Sequence, residues 1–343
     1  MSIASFRSSR QIIRCAVLTV ACVALTASVF SPEATAIENA GLDRAKRATV
    51  GVLEDTQDQR TPDRPAKIAI RGTGFHLRDG YIVTARHAVE RRGTQGAFIP
   101  KQIRLMTTDF HELPAELVGE SSYADVVLYR VPEQHRAVLT AATPFAAGDM
   151  NSGDEVFTIG YPLGWGPTMA FGRLGNTNTF LQTVDTRLIQ ADLSVCSGNS
   201  GSGMFNAAGE VVGVMHAIIQ MEKDPQESHC SRLAFAVPAP LAQRIVTAAL
   251  DGQPLAFSRL GIQMTSVKDG TKWRVAVKEV SDPAKSAGLG KTDVLMAIDG
   301  MEITDAAQFK NYLIEKTTPG QQVQVRVRRG DGELTFVVVL AGG

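Results

Sequence analysis

From about Val50 to Val237 the chain is a succession of short apolar runs broken by glycine, aspartate and asparagine. No other feature restricts the fold as much. Lys67–Arg71, Tyr81–Thr84, Ile103–Met106, Val126–Val131, Val156–Ile159 and Val211–Met215 all have strand length. The turn residues between them recur at the spacing of an all-β barrel or sandwich. After Pro240 the period changes: Leu241, Ile245 and Ala249 recur every four residues and predict one helix. Asp251-Gly252-Gln253-Pro254 ends that helix and reads as a linker. A second, mixed unit begins near Phe257. It has strand-like runs at Trp273–Val280, Val294–Ile298, Gln322–Arg328 and Leu334–Leu340, and a helix pattern through Phe309 and Leu313, with Thr304 placed as its N-cap.

The 343 residues are comfortable for two domains. The 35 basic and 35 acidic residues cancel, which gives no footing for a nucleic-acid partner. Arg7, Arg10 and Arg14 precede an uncharged run from Cys15 to Pro32, and Ala34-Thr35-Ala36 follows as a small-x-small cleavage pattern. Residues 1–36 therefore read as a secretory signal peptide, and the chain from Ile37 as periplasmic or otherwise extracytoplasmic. The leader carries three arginines and one glutamate, so 32 basic and 34 acidic residues remain after cleavage. Cys15 and Cys22 leave with it. In an oxidising compartment the remaining pair, Cys196 and Cys230, suggests a disulfide. Its loop would contribute roughly 3 to 4 kcal/mol in the chain-entropy model. The chain has no CxxC or HExxH pattern, so no metal is expected.

Chemistry concentrates at three places. Ser200 lies in GNSGSG (198–203), where small neighbours let the chain turn tightly and let a carbonyl approach the backbone. A nucleophilic serine also needs a base and amide donors for the developing oxyanion. Of six histidines, His87 closes Thr84-Ala85-Arg86-His87 at the end of an apolar strand, and Asp125 immediately precedes Val126-Val127-Leu128-Tyr129. His87, Asp125 and Ser200 stand in the chain order of chymotrypsin-type triads, unlike subtilisins or α/β-hydrolases.

GTGFHLRDGYIVTARHAV (72–89), SSYADVVLYRV (121–131) and LIQADLSVCSGNSGSGMFNAAGEVVGVMHA (188–217) resemble the three catalytic segments of trypsin-like serine proteases. Of these they are most similar to the HtrA (high-temperature-requirement) family of exported quality-control proteases. FTIGYPLGWGPTMAFG (157–172) and LAFAVPAPLAQRIV (233–246) resemble further segments of that family. SRLGIQM (258–264) and VKEVSDPAKSAGLGKTDVLMAIDGMEI (277–303) resemble its PDZ domain.

The resemblance implies a mainly β fold: a chymotrypsin-like double β-barrel over 37–250, a linker over 251–256 and a small α+β PDZ domain over 257–343. Ser200 would be the nucleophile, His87 the general base and then acid, and Asp125 the group that holds the imidazole tautomer. The N–H groups of Gly198 and Ser200 would form the oxyanion hole. By position, Ser194 would lie near the floor of the specificity pocket, and Ala234 and Ala236 on one wall. His216, Ala217 and Ile218 would form the strand that pairs with substrate. A pocket without an aspartate at its floor favours a small or medium aliphatic residue before the scissile bond. In the PDZ unit a ligand C-terminus would meet the amides around Leu260, Gly261 and Ile262, and the peptide would add as a strand beside Ile262 and Met264.

The implied activity is that of an exported, ATP-independent serine endopeptidase, with no cofactor, acting on unfolded or misfolded envelope polypeptides. C-terminal peptides would bind at the PDZ domain. A homotrimer is the assembly the resemblance implies, yet residues 37–52 contain no aromatic side chain to build one. Three departures stand out. Ser202 and Gly203 replace the Gly-Pro that usually follows GNSG, which leaves an inactive peptide-binding scaffold as the alternative, beside a dedicated processing protease. Asn199 stands where digestive relatives carry an aspartate that pairs with a new N-terminal ammonium, which points away from activation by proteolytic maturation. Cys196 lies four residues before the nucleophile, where its bond to Cys230 would tie the pocket wall to a neighbouring loop.

Overall fold

The computed structural model describes residues 39–54, 69–148, 150–179, 186–218, 230–253 and 256–342. The leader, its cleavage point and Ile37 lie outside the described residues. Six strands form the first barrel: β1 (Thr49–Leu53), β2 (Ile70–Arg78), β3 (Tyr81–Ala85), β4 (Gln102–Thr107), β5 (Glu112–Ser121) and β6 (Val126–Arg130). They are ordered β1-β2-β3-β6-β5-β4 and close through β1 on β4, with Val52 opposite Leu105. The turn between β2 and β3 is Asp79-Gly80, both at positive φ, the backbone that a tight hairpin of right-handed twist requires.

The second barrel repeats the plan with β7 (Glu155–Gly160), β8 (Thr168–Thr179), β9 (Leu188–Cys196), β10 (Gly203–Phe205), β11 (Val211–Ile218) and β12 (Cys230–Pro238), ordered β8-β9-β12-β11-β10-β7. The apolar run in β6 has a simple cause. Val127 and Tyr129 fill the first barrel, while Val126 and Leu128 face a shared seam with Phe157, Leu188, Phe205 and Val237 of the second. A strand buried on both faces cannot alternate polar and apolar residues.

Three helices complete the peptidase unit. α1 (Asn39–Ala48) buries only small residues, Gly41, Ala45 and Ala48, and a Cβ at Gly41 would come within 2.6 Å of the Ala208 carbonyl carbon. A four-residue helix, α2 (Arg86–Val89), follows β3, and α3 (Ala239–Leu250) covers the seam with Leu241, Ile245 and Val246. The four-residue repeat after Pro240 is this helix.

The C-terminal unit is a six-stranded sheet: β13 (Ile262–Asp269), β14 (Lys272–Val280), β15 (Val294–Ile298), β16 (Gln322–Arg329) and β17 (Gly332–Val339) run in that order, the short strand Met301–Glu302 pairs with β15, and α4 (Ala306–Lys316) packs on the sheet. The cap of α4 differs from expectation by one residue. Asp305 is the N-cap, its carboxylate accepting from Gln308 N at 2.8 Å. Thr304 precedes it and donates its own N–H to the Gln308 side chain. An ionised carboxylate at the cap is the stronger partner for the exposed amides.

α4 also touches the second barrel. Arg187 makes a bidentate pair with Glu315 at 2.7 and 2.6 Å, Asn311 donates to Asn178 at 2.6 Å, and Arg244 donates to the Thr317 carbonyl. A cavity of about 390 Å³ lies between these contacts, lined by Thr177, Asn178, Arg187, Asn311, Tyr312 and Glu315.

Candidate active site

Asp125 is the best-anchored residue of the site. It ends the turn before β6 with φ of 55°, a left-handed conformation that aspartate tolerates better than most residues. Its carbonyl accepts from Arg86 N at 3.0 Å and its Oδ1 accepts from His87 N at 2.8 Å. The start of α2 is thus clamped to Asp125 before any side chain of α2 is considered. The remaining carboxylate oxygen, Oδ2, lies 2.6 Å from His87 Nδ1 and 2.6 Å from His216 Nδ1.

Burial alone would raise the Asp125 pKa, but hydrogen bonds from His216 and His87 and their charge hold it well below the usual carboxylate range. Asp125 is therefore ionised and can only accept, so both imidazoles present Nδ1–H to it. This orientation leaves Nε2 of His87 with its lone pair outward, on a side chain 45% exposed.

Ser200 sits in a turn whose carbonyls are all engaged. Ser197 O accepts from Leu163 N, Gly198 O from the Thr73 hydroxyl at 2.7 Å, Asn199 O from Ser202 N, and Ser200 O from Thr73 N at 2.9 Å. In a planar trans peptide the N–H points opposite to its C=O. The Gly198 and Ser200 N–H groups are aimed away from these anchors, and neither donates to another described residue. Two glycines are required here. A Cβ at Gly198 (φ 101°) would fall 2.2 Å from Tyr161 O, and one at Gly201 (φ 86°) 2.1 Å from Thr84 Oγ1. Ser200 is half-buried, and its hydroxyl makes no hydrogen bond to His87 among the described residues. Gly72 lies between the two segments: a Cβ there would meet Ala88 on one side and Ser200 O on the other.

The departure at Ser202 is absorbed. Its side chain is wholly buried and its hydroxyl lies 2.9 Å from Thr158 Oγ1. Asn199, also buried, accepts from Cys196 N through its side-chain oxygen, so it braces the turn from within. Cys196 and Cys230 are bonded and sit opposite each other on β9 and β12.

The residues expected around a specificity pocket fare unevenly. Ser194 is exposed on β9. Ala234 and Ala236 have no exposed surface and belong to the core of the second barrel with Ala191, Ile189 and Met215. They lie in the buried second half of β12, whose first residues, Cys230 to Leu233, are mostly exposed. Ala217 and Ile218 continue β11, paired with Phe235 and Ala234. His216 bonds the carboxylate of Asp125, a partnership that strand pattern alone does not reveal. Another histidine, His76, is buried and bound at both ring nitrogens, to Ala141 O and Gly80 N, in a structural role.

In the C-terminal unit, Leu260 is buried and Gly261 has φ of 87°. Their carbonyls accept from Ala284 N and Ser281 N, which fixes the loop. Ile262 and Met264 are half-buried on β13, an edge strand of the sheet.

Residues 72–214 match the family model described as a trypsin-like peptidase domain, and residues 258–340 match that of a PDZ domain. A probable periplasmic serine endoprotease, DegP-like, of Halomonas elongata is 29% identical over 79% of this chain and 56% of its own length. The serine protease Do-like HtrA of Bacillus subtilis is 26% identical over 76% of this chain and 60% of its own. The chain spans little more than half the length of the curated relatives it matches. Among solved structures, the HtrA-type protease AlgW with decapeptide superposes with a TM-score of 0.66 at 21% identity, covering 89% of this chain and 98% of that one. A serine endoprotease from Yersinia pestis gives 0.58 at 22% identity, covering 92% and 100%.

Two closed barrels with a carboxylate-bound imidazole between them, followed by a PDZ sheet, define a trypsin-like peptidase joined to one PDZ domain. Within that class the chain is similar to proteins named as DegP-like and HtrA serine proteases.

Proposed function

We propose that this chain is an exported, ATP-independent serine endopeptidase that cleaves unfolded or misfolded envelope polypeptides through an acyl-enzyme. The observation that carries this reading is the 2.6 Å contact of His87 Nδ1 with an ionised Asp125, which leaves Nε2 free to accept a proton. On this reading Ser200 attacks the scissile carbonyl while His87 takes its proton, then returns it to the leaving amine. The unengaged N–H groups of Gly198 and Ser200 bind the oxyanion, and are already fixed by the anchored carbonyls behind them. The two imidazole bonds and the His87 amide keep Asp125 from turning away.

The missing Ser200–His87 hydrogen bond suits a resting site, since such bonds tighten with substrate. The hydrogen-bonded fit of Ser202 favours an active enzyme over a scaffold. Export to the periplasm accords with relatives named as periplasmic endoproteases, and no helix among the described residues is long and apolar enough to cross a membrane. C-terminal peptides would add to the free edge of β13, their carboxylate at the Leu260–Ile262 loop.

The test is a fluorophosphonate probe on the chain from Ile37 beside Ser200→Ala, with unfolded β-casein as substrate. Labelling lost in Ser200→Ala together with broad casein fragments is expected. No labelling, with unfolded protein and a hydrophobic C-terminal peptide present, would establish the scaffold instead. Labelling without casein cleavage would favour a dedicated processing enzyme.

A further inference from the structure

A serine protease triad needs one imidazole on its carboxylate. Here two imidazoles converge on the same oxygen. One ligand atom from each of His87, Asp125 and His216 lies within 4.8 Å of the others, both Nδ1 atoms are 2.6 Å from Asp125 Oδ2, and the two rings stand perpendicular with centroids 5.7 Å apart. Two imidazole nitrogens and one carboxylate oxygen, with a further position open, are the donor set of zinc-class divalent ions. Magnesium and calcium prefer oxygen alone.

Local charge favours a dication. Arg86, next to His87, is the nearby cation, and it is already paired with both Glu90 and Glu120. With Asp125 this makes three carboxylates against one guanidinium. Access lies on the His87 side, 45% exposed, whereas Asp125 and His216 are each 14% exposed. Zinc–ligand bonds of about 2.0–2.1 Å in a tetrahedron place neighbouring donors roughly 3.3 Å apart. Both 2.6 Å contacts to Asp125 Oδ2, from His87 and from His216, would lengthen to that distance around a bound ion.

We propose that His87 Nδ1, Asp125 Oδ2 and His216 Nδ1 form a binding site for zinc or a similar divalent ion, and that filling it switches the protease off. The ion takes the lone pair of each Nδ1. The proton from each Nδ1 leaves to solvent and one is returned at each Nε2, so neutral imidazoles release none in balance. His87 then carries its proton on Nε2 and cannot accept one from Ser200. Inhibition thus comes from the wrong tautomer, without covering the cleft. That consequence rests on the reading of Ser200 and His87 as nucleophile and base, whereas binding of the ion does not.

The test titrates metal-free chain with zinc chloride by calorimetry, and with cobalt(II) by its visible absorption. Wild type, Ser200→Ala, His216→Asn and His216→Ser are compared at matched circular dichroism. One ion per chain is expected in wild type and Ser200→Ala, with affinity at least about tenfold weaker in both His216 variants. Saturating zinc should slow fluorophosphonate labelling of wild type by about 100-fold or more, in line with the large loss that a wrong tautomer causes. No stoichiometric binding to wild type, or equal binding by either folded His216 variant, would overturn the site. Binding with labelling unaffected by zinc would overturn the switch. Absence of labelling in metal-free wild type would overturn the protease reading and leave the metal site standing.

Discussion

The Thr73 hydroxyl holds two backbone groups at once, donating to Gly198 O at 2.7 Å and accepting from Tyr161 N at 3.2 Å. Thr73→Val keeps the shape and removes both bonds, stranding two buried polar groups. The expected loss is about 2 kcal/mol of stability by urea unfolding. Casein hydrolysis should fall between about 10- and 100-fold as the 197–200 turn that carries the oxyanion donors loosens, with Thr73→Ser restoring most of it. Unchanged hydrolysis by a folded Thr73→Val would reject this role. A second expectation concerns the tyrosines. Burial raises the Tyr161 pKa to about 12, and burial with a hydrogen bond to Asp299 does the same for Tyr312. Unfolded tyrosine ionises near pH 10. The folded chain keeps these protons where the unfolded chain loses them, so stability should fall as pH rises from about 10 towards 12. Urea midpoints that stay flat across that range would contradict it. Ser200, His87 and Asp125 could be singled out because their order and local composition are distinctive, and His87 and Asp125 meet at 2.6 Å. His216 was not, since its partner lies 91 residues away and only barrel closure brings them together.

At the scale of elements, β9 matters beyond its place in the barrel because it delivers the chain into the 197–200 turn. Its last residue is bonded to the first of β12. The double variant Cys196→Ser/Cys230→Ser should lose roughly 3 to 4 kcal/mol for a loop of 34 residues, read as a lower denaturation midpoint. A midpoint equal to wild type would assign the bond no stabilising part. Most strands could be read from runs such as Val126–Val131 because burial imposes β-branched and aliphatic residues there. The helix α1 gave no such pattern. It packs through Gly41, Ala45 and Ala48, and small residues carry little periodic hydrophobic weight. Thr304 and Asp305 are both good caps, and only the backbone decides between them.

For the whole molecule, the link between peptidase and PDZ units joins apolar packing of Ile314 and Phe257 to a set of polar pairs. Arg187 and Glu315 are 18% and 5% exposed at the side chain, and 128 residues separate them. Sequence gives no hint of such a pairing, because neither residue sits in a motif. Arg187→Leu leaves the Glu315 carboxylate buried without its partner, at a cost of about 3 kcal/mol to docking. Hydrogen exchange at residues 311–317 should then rise about 100-fold while the barrels keep their protection. Exchange that stays at the wild-type rate would show that the pair contributes nothing to docking.

The backbone at Ser200 is tied to both barrels: Ser200 O to Thr73 N on β2, and Gly201 N to Met215 O on β11. His87 and Asp125 come from the first barrel and Ser200 from the second, so on the proposed mechanism neither half owns the chemistry. A chain severed in the 139–144 connection would leave two pieces, each chemically mute. Their reunion would report itself by a restored signal, which makes the seam a coincidence detector written into the fold.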